Sequence, residues 1–379
     1  MGIKTGVTVR GYCLPVKVFA IGLLLALAAV AGFIVGGCDA GEDAVGENEI
    51  RAERVEKALE AAVDYYREHR SSPQSWWDLV ALRGAEVDLN DVDWEIEFSR
   101  GSETANLFKK LLDSSSPTDY AGAILGAVAL EKDLSIVFPE KDPVQELRRM
   151  QEEDGGFGGT VNNTIWALIA LESVSAEGFA AESAEGAESD ETTATNTGMG
   201  KAAKAVDYLL QEQKEDGGFA LRGDSGDPDV TAMVLQALAP YAEMPGMPEV
   251  SRSIDKALSF LQEKQLQTGG FASSGEENAN SVAVVISGLL AVDEDPLDPK
   301  WQKEGQESFM GLPRQKAAAA GDKSSNNMVE SLLRFQLEDG SFSYLLEPLN
   351  SNPMATSQAL VTLGDLAAGE TVFSRMSRD

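Results

Sequence analysis

Asp216-Gly217-Gly218-Phe219, followed ten residues later by the apolar run that starts at Asp229, decides the fold of this chain. The same unit recurs elsewhere: a glutamine, a short stretch, Gly-Gly-Phe or Gly-Ser-Phe, and then an apolar run. The other three copies occupy residues 151–157, 265–271 and 336–342, and their apolar runs start at Asn163, Asn280 and Met354. A unit of several tens of residues that recurs along a chain is typical of a repeat architecture, in which each copy buries its apolar surface against its neighbours.

Each apolar run is the second member of a predicted helix pair. The first helix of a pair has one polar face, whereas the second is apolar nearly all round, as expected of a helix buried within a larger assembly. Six pairs can be counted. The first helices are predicted at 51–70, 103–113, 142–151, 201–213, 251–265 and 326–337, and the second helices start near Ser75, Thr118, Asn163, Asp229, Asn280 and Met354. Six outer and six inner helices that alternate along the chain predict an all-α fold, an (α/α)6 toroid.

The Gly-Gly-Phe element is interpreted as the exit from each outer helix. A glycine in the left-handed conformation ends a helix and caps its last carbonyl groups, and Asn, Asp, Ser or Thr then supplies the N-cap of the inner helix. The aromatic residues of the four copies, Phe157, Phe219, Phe271 and Phe342, are therefore predicted to be structural.

The segments outside the pairs are assigned from composition. Residues 1–37 combine three basic residues with an apolar run, which is typical of a secretory signal. Because Val35-Gly36-Gly37-Cys38 resembles a bacterial lipobox, we expect Cys38 to carry a lipid and to hold the protein on the extracytoplasmic face of a bacterial cell membrane; a transmembrane anchor is the alternative. The toroid is assigned to 51–372, with an acidic tether at 38–50, a disordered insert at 174–200, an irregular loop at 292–325 and a tail at 373–379.

Composition excludes several classes of function. The chain has 62 acidic and 31 basic residues, and an acidic surface repels nucleic acid, so no nucleic-acid partner is expected. Its two cysteines, Cys13 and Cys38, lie near the N-terminus, and His69 is the one histidine. A zinc site built from Cys and His is therefore excluded, and no metal or cofactor is predicted.

These repeats resemble those of the terpenoid-cyclase and protein-prenyltransferase toroid superfamily, over roughly residues 50–372. The resemblance implies the fold and leaves several activities open. In the prenyltransferase branch the catalytic subunit holds zinc with Asp, Cys and His, and this chain has no cysteine after Cys38. That activity is excluded.

The cyclase branch carries Asp-x-Asp-Asp-Thr-Ala at the start of an inner helix. Here Asp227-Pro228-Asp229-Val230-Thr231-Ala232 aligns Asp229 with the proton donor, but Val230 replaces the last aspartate. The resemblance thus implies a terpene-cyclase-like enzyme as one alternative, in which Asp229, with Asp227, protonates a polyene. The competing interpretation is that Asp227 or Asp229 caps the helix.

A third branch contains transcobalamin, intrinsic factor and related bacterial secreted proteins. The start of the inner helix at Asp229-Val230-Thr231-Ala232-Met233 is similar to theirs. This similarity implies a corrinoid (cobalamin) as a second alternative for the ligand.

A ligand site is predicted where the inner helices start, because their first turns converge on one rim and offer free N–H groups. Capping and packing are the alternative roles of these side chains. The candidate residues are Trp76, Trp77, Asp78, Asp119, Tyr120, Asn163, Trp166, Asp229, Thr231, Asn280, Ser281, Thr356 and Gln358. The sequence favours a membrane-anchored lipoprotein whose toroid binds a small molecule or a cell-surface partner without catalysis.

Overall fold

The computed structural model describes residues 40–91, 94, 96–98, 101–174, 198–273, 275–303 and 326–378. The chain divides into two compact units, Met1–Glu47 and Asn48–Asp379, and the second unit contains the repeats. The predicted signal peptide, Cys38, most of the insert and most of the irregular loop lie outside the described residues. Among the described helices, none has the length and apolar character needed to cross a membrane.

Helices account for nearly all the regular structure of the described residues. The α-helices are α1 (Ala40–His69), α2 (Trp76–Gly84), α3 (Glu103–Asp113), α4 (Pro117–Ala129), α5 (Leu134–Val137), α6 (Pro143–Arg149), α7 (Val161–Glu172), α8 (Gly198–Gln211), α9 (Pro228–Leu238), α10 (Pro248–Lys264), α11 (Ala279–Ala291), α12 (Met328–Leu333), α13 (Pro353–Ala368) and α14 (Val372–Met376). Short 3-10 helices cover Ala239–Tyr241 and Pro299–Trp301, and β1 (Ala272–Ser273) pairs with β2 (Glu276–Glu277) in an antiparallel hairpin.

Six of these helices form a closed inner ring. In chain order α2, α4, α7, α9, α11 and α13 each pack against the next, and α13 packs back against α2. The remaining long helices lie outside this ring; for example, α3 packs on α4, α8 on α7, α10 on α9 and α12 on α11. The predicted all-α (α/α)6 toroid is therefore confirmed.

The glutamine of each repeat forms hydrogen bonds that join one segment of the outer layer to the next. Gln151 donates through Nε2 to the carbonyl oxygen of Gly155 (3.0 Å) and to that of Lys201 in α8 (2.7 Å). Gln213, Gln265 and Gln336 repeat this bridge, with second acceptors on Ser253, Trp301 and Ala58 at 2.8 Å each. Because Ala58 lies in α1, the last bridge ties the last repeat to the first outer helix and closes the outer layer.

The first glycine of each repeat is left-handed, but it does not cap the outer helix as predicted. Helix α6 ends at Arg149, and Gly155, with φ +94°, lies in a separate turn in which its N–H donates to the Glu152 carbonyl (3.1 Å). A Cβ at Gly155 would lie 2.1 Å from the Lys204 carbonyl oxygen of α8. The glycine therefore serves the approach of the next outer helix as well as the turn.

The phenylalanine of each repeat ties this turn to the inner ring. All four phenylalanines are fully buried. The backbone N–H of Phe219 donates to Thr231 Oγ1 in α9 at 2.8 Å, and Phe157 and Phe342 donate in the same way to Thr164 and Thr356. Their predicted structural role is confirmed.

The ends of several elements differ from the predicted boundaries. Helix α1 starts at Ala40, so residues 40–50 of the predicted tether are helical, and α8 starts at Gly198 inside the predicted insert. Residues 373–376, assigned to a tail, belong to α14, which packs against α2 and α13. These segments are short or polar and carry little periodic signal.

Candidate functional site

The first turns of the inner helices form one rim of the ring. Between α4 and α7, Thr118 Oγ1 donates to Asn163 Oδ1 at 2.7 Å. Between α9 and α11, the Ser281 hydroxyl lies close enough to the Asp229 carboxyl to lower its pKa. All four of these residues belong to the first turns of their helices, so neighbouring inner helices start side by side, as predicted.

A small cavity lies at the centre of the ring, and we call it the lumen. Its volume is about 30 Å³, and its wall includes Trp77, Trp166, Met233, Val284, Gln358 and Phe373. A cavity of this size holds about one or two water-sized groups, whereas pockets for small-molecule ligands measure roughly 300–1,000 Å³. The lumen can thus enclose the end of a ligand but not a whole one.

Aromatic side chains occupy the space that the ring would otherwise leave open. The rings of Trp76 and Trp77 stack with centroids 4.5 Å apart, and Trp77 meets Trp166 edge-on at 5.2 Å. Phe373 of α14 approaches Trp166 at 6.0 Å and Trp77 at 6.3 Å. Trp166 is buried, whereas Trp77 is half-buried and is reached from the rim.

Three inner helices beside the lumen carry polar atoms without partners. Asp229 and Asn280 lie four residues before Met233 and Val284, which line the lumen, so they share the inward face of α9 and α11 one turn nearer the rim. Asp229 Oδ1, Asn280 Oδ1 and Gln358 Oε1 are buried and accept no hydrogen bond from any described residue. We call Asp229, Asn280, Gln358 and Trp77 the mouth cluster.

The carboxyl of Asp229 has an unusual electrostatic setting. Burial raises the pKa of Asp229 to about 6; the Ser281 hydroxyl opposes this rise, and the Asp227 carboxylate adds to it. No basic side chain is among the causes of the shift. At neutral pH the carboxylate is therefore charged and desolvated, with no positive group beside it.

Asp227 and Asp229 differ in role. Asp227 is the N-cap of α9, where it accepts the N–H groups of Asp229 (3.0 Å) and Val230 (3.1 Å). The capping interpretation is thus correct for Asp227, while the Asp229 side chain is left for the mouth cluster. Val230 is buried at 4% exposure and packs in the hydrophobic core.

Other predicted rim residues have structural partners. Asp78 is fully buried, with Arg70 at 2.8 Å and the Tyr66 hydroxyl at 2.8 Å. Tyr120 points toward the outer layer, where its hydroxyl donates to the Leu112 carbonyl at 3.4 Å.

The small polar members of the predicted rim also have partners. Thr231 and Thr356 accept the phenylalanine N–H groups described above, Ser281 accepts the N–H of Ser273 at 3.1 Å, and Asn163 accepts from Thr118. Asp119 is half-buried in the first turn of α4. Of the thirteen candidates, the structure brings Trp77, Trp166 and Gln358 to the wall of the lumen, with Trp76 stacked behind Trp77. Helical spacing places Asp229 and Asn280 one turn nearer the rim on the same inward face.

Several lumen residues were not predicted. Met233 and Val284 follow Asp229 and Asn280 by four positions, and this helical spacing was the available signal. Phe373 offered no signal, because it reaches the lumen from α14 and not from an inner helix.

A second, larger depression lies where inner helices α2, α4 and α13 end. Its volume is about 750 Å³, and its charged wall includes Arg83, Arg375, Glu86 and Glu131. Arg83 pairs with Glu131 at 2.5 Å and Arg375 with Glu86 at 3.4 Å. Because these guanidinium groups already face carboxylates, the depression is a weaker candidate than the mouth cluster. Throughout the described residues, no group of three or more His, Cys, Asp or Glu side chains is placed to share a metal ion.

No protein-family model matches the chain, and no curated protein matches it. Among solved structures, the type II terpene cyclase MstE from Scytonema, in complex with geranylgeranyl dihydroxybenzoate, is 13% identical with a TM-score of 0.49, over 85% of this chain and 99% of the cyclase. The unsaturated glucuronyl hydrolase of Bacillus sp. GL1 is 13% identical with a TM-score of 0.47, over 83% of this chain and 96% of the hydrolase. Both neighbours are α/α-toroid proteins.

Proposed function

We propose that this toroid is a non-catalytic binding module that receives the end of a ligand at the mouth cluster. One observation carries the proposal: the lumen is nearly filled by aromatic side chains, yet three inner helices beside it carry buried oxygen atoms without partners in or just above its wall.

Partnerless buried groups are costly. A buried acceptor without a hydrogen bond destabilises the folded state by roughly 1–3 kcal/mol. Here three such oxygen atoms belong to consecutive inner helices, α9, α11 and α13. Gln358 lines the lumen, and helical spacing places Asp229 and Asn280 on the inward faces of α9 and α11. Groups that lower stability while pointing at a common opening are expected at functional sites, because a ligand can satisfy them.

The size of the lumen favours binding over cyclisation. A cyclase has to enclose a polyene and exclude water while charge moves along the chain, and about 30 Å³ does not hold such a chain. Asp229 also lacks a second carboxylate at the next position, where Val230 packs in the core. These features support a module that holds a ligand without transforming it.

The proposed function includes a lipid anchor at the N-terminal side of the toroid. We propose that Cys38 is lipidated and holds the toroid on the outside of a bacterial membrane. Metabolic labelling with an alkyne-tagged fatty acid is expected to mark the wild-type protein and not the Cys38→Ser variant. Equal labelling of both proteins would exclude this attachment site.

Native mass spectrometry of the full-length protein, purified in an uncharged detergent from its own host, tests the binding function. We expect a stoichiometric small-molecule adduct that is lost in Asp229→Asn and kept in Asp224→Asn, because Asp224 lies on the exposed loop five residues earlier. The adduct mass would identify a corrinoid directly. Incubation with a polyprenyl substrate is expected to yield no product. A cyclised product that depends on Asp229 would overturn the non-catalytic assignment, and the absence of any adduct would overturn binding of a small molecule.

A further inference from the structure

We propose that the mouth cluster recognises a primary ammonium group carried on an apolar stem. This inference rests on the proposed binding function and names the chemical class of the ligand. The ammonium would donate to Asp229 Oδ1, Asn280 Oδ1 and Gln358 Oε1, with the faces of Trp77 and Trp166 beside it.

Asp229 decides the sign of the ligand's charge. Asn280 and Gln358 carry both a donor and an acceptor on their amide groups, so they adapt to either kind of partner, whereas an ionised carboxylate only accepts. With a pKa raised to about 6 by burial, Asp229 is charged at neutral pH, and its pKa is set by Ser281 and Asp227 without a basic neighbour. An arriving cation supplies the missing counter-charge, and an anion would be repelled.

Trp77 and Trp166 add a second preference for a cation. Both indole rings form part of the lumen wall. A cation near the face of a tryptophan is attracted by the ring quadrupole, and more strongly where water is excluded. The starts of six inner helices would favour an anion at this rim, but the Asp229 carboxylate opposes that choice.

The size of the lumen selects the ammonium type. About 30 Å³ admits one or two non-hydrogen atoms. A primary ammonium with its first carbon fits this space, whereas a trimethylammonium or a phosphate group is too large. An ammonium has three donors, which matches the three oxygen atoms without partners.

The entrance provides an apolar surface for the stem. Met354 precedes Gln358 by four residues, so it lies on the same face of α13 one turn nearer the rim, and it is 55% exposed. Trp77 is half-buried in α2, the inner helix that packs against α13. An alkyl chain that leaves the lumen would therefore meet apolar atoms before it reaches water.

Titration calorimetry on the full-length protein in an uncharged detergent tests this inference. The probes are n-butylamine, which is an ammonium at pH 7.5, n-butanol as its neutral isostere, sodium butyrate and tetramethylammonium. We expect n-butylammonium to bind at least tenfold more tightly than each of the others, and to change the tryptophan fluorescence. Nα-acetyl-lysine methylamide, compared with n-butylamine, distinguishes a lysine side chain from a free amine as the natural source.

Two variants test whether Asp229 is responsible for the preference for n-butylammonium. Asp229→Asn keeps the shape of the side chain and is expected to lower n-butylammonium affinity at least tenfold while binding of n-butanol stays the same. Asp224→Asn, the same change on the exposed loop, is expected to alter neither. Affinity in the wild type is also expected to fall as the pH drops through about 6, where Asp229 takes up a proton next to Ser281 and Asp227.

Several outcomes would overturn the inference: equal binding of n-butanol, tight binding of tetramethylammonium or butyrate, or an unchanged affinity in Asp229→Asn. Different results would remove the binding function and the ammonium ligand. An adduct from the host that is neutral or anionic, with no n-butylammonium binding, would leave the binding function standing and remove the ammonium. A protein that carries no adduct and binds none of the probes would remove both.

Discussion

Replacing Gly340 by alanine is expected to weaken the contact between the last repeat and α1, which closes the ring. Gly340 has φ +86°, and a Cβ there would lie 2.0 Å from the carbonyl oxygen and 2.5 Å from the carbonyl carbon of Ala61 in α1. These are backbone atoms that cannot rotate away. The left-handed conformation costs an alanine roughly 1–2 kcal/mol, overpacking adds about 1–3 kcal/mol, and loss of the hydrogen bond from Gln336 to Ala58 adds about 1 kcal/mol. The free energy of unfolding should therefore fall by roughly 3–6 kcal/mol.

Gly369→Ala provides the matched control. Gly369 ends α13 with φ +72°, and a Cβ there would meet nothing within 4 Å. Its cost is the backbone strain alone, roughly 1–2 kcal/mol. Urea denaturation of the full-length proteins, followed by far-ultraviolet circular dichroism, compares the two. In Gly155→Ala the new Cβ would lie 2.1 Å from the Lys204 carbonyl oxygen of the next outer helix, so this variant is expected to behave like Gly340→Ala. An equal fall in the free energy of unfolding for Gly340→Ala and Gly369→Ala would show that the contact between Gly340 and α1 does not hold the ring closed.

Three further variants test the structural roles. Asp78→Asn should lower the free energy of unfolding by roughly 3 kcal/mol, because it leaves the partly buried Arg70 charge without its partner; a variant as stable as wild type in urea would contradict this. Thr231→Val should cost roughly 1–3 kcal/mol in the same assay, because the Phe219 N–H loses its acceptor, and ligand affinity should not change; a loss of affinity at unchanged stability would instead give Thr231 a role in binding. Burial raises the pKa of Asp365 from 3.8 to about 7, so its favourable contribution is complete below about pH 4 and is lost as the pH rises through 7. Asp365→Asn should therefore gain stability relative to wild type over that window, by about 2–4 kcal/mol, and a difference in melting temperature that is the same at pH 4.5 and pH 8 would contradict the assignment.

The helix pairs could be predicted from sequence because two signals agree. Outer helices such as α10 have one apolar face, inner helices such as α11 are apolar nearly all round, and the glycine turns mark where one gives way to the other. The left-handed glycine was also predictable, but its position beyond the helix end was not. That position is set by a carbonyl group of the next outer helix, which is distant in sequence.

The candidate site was predictable only in part, for a physical reason. An inner helix that is apolar all round has no periodicity to show which of its polar residues faces the lumen. Asp227, Asp229 and Thr231 lie within five positions, yet the first caps α9, the second has a buried oxygen atom without a partner and the third accepts the N–H of Phe219. Only the orientation of the helix in the ring separates these roles.

Ring closure also sets the order of events during synthesis. The carbonyl group of Ala58 in α1 cannot accept its hydrogen bond from Gln336 until that residue, 278 positions further along the chain, has been synthesised. At about 5–20 residues per second a ribosome needs roughly 15–55 s to cover that distance. During this interval Tyr66 of α1 can already reach Asp78 of α2, but the face of α1 that meets the last repeat has no partner. That face leaves the nascent chain exposed to aggregation and proteolysis until the last repeat emerges. Slow translation or an early stop codon should therefore harm this protein more than an open array of the same repeats, which can complete each contact as soon as the next repeat is made.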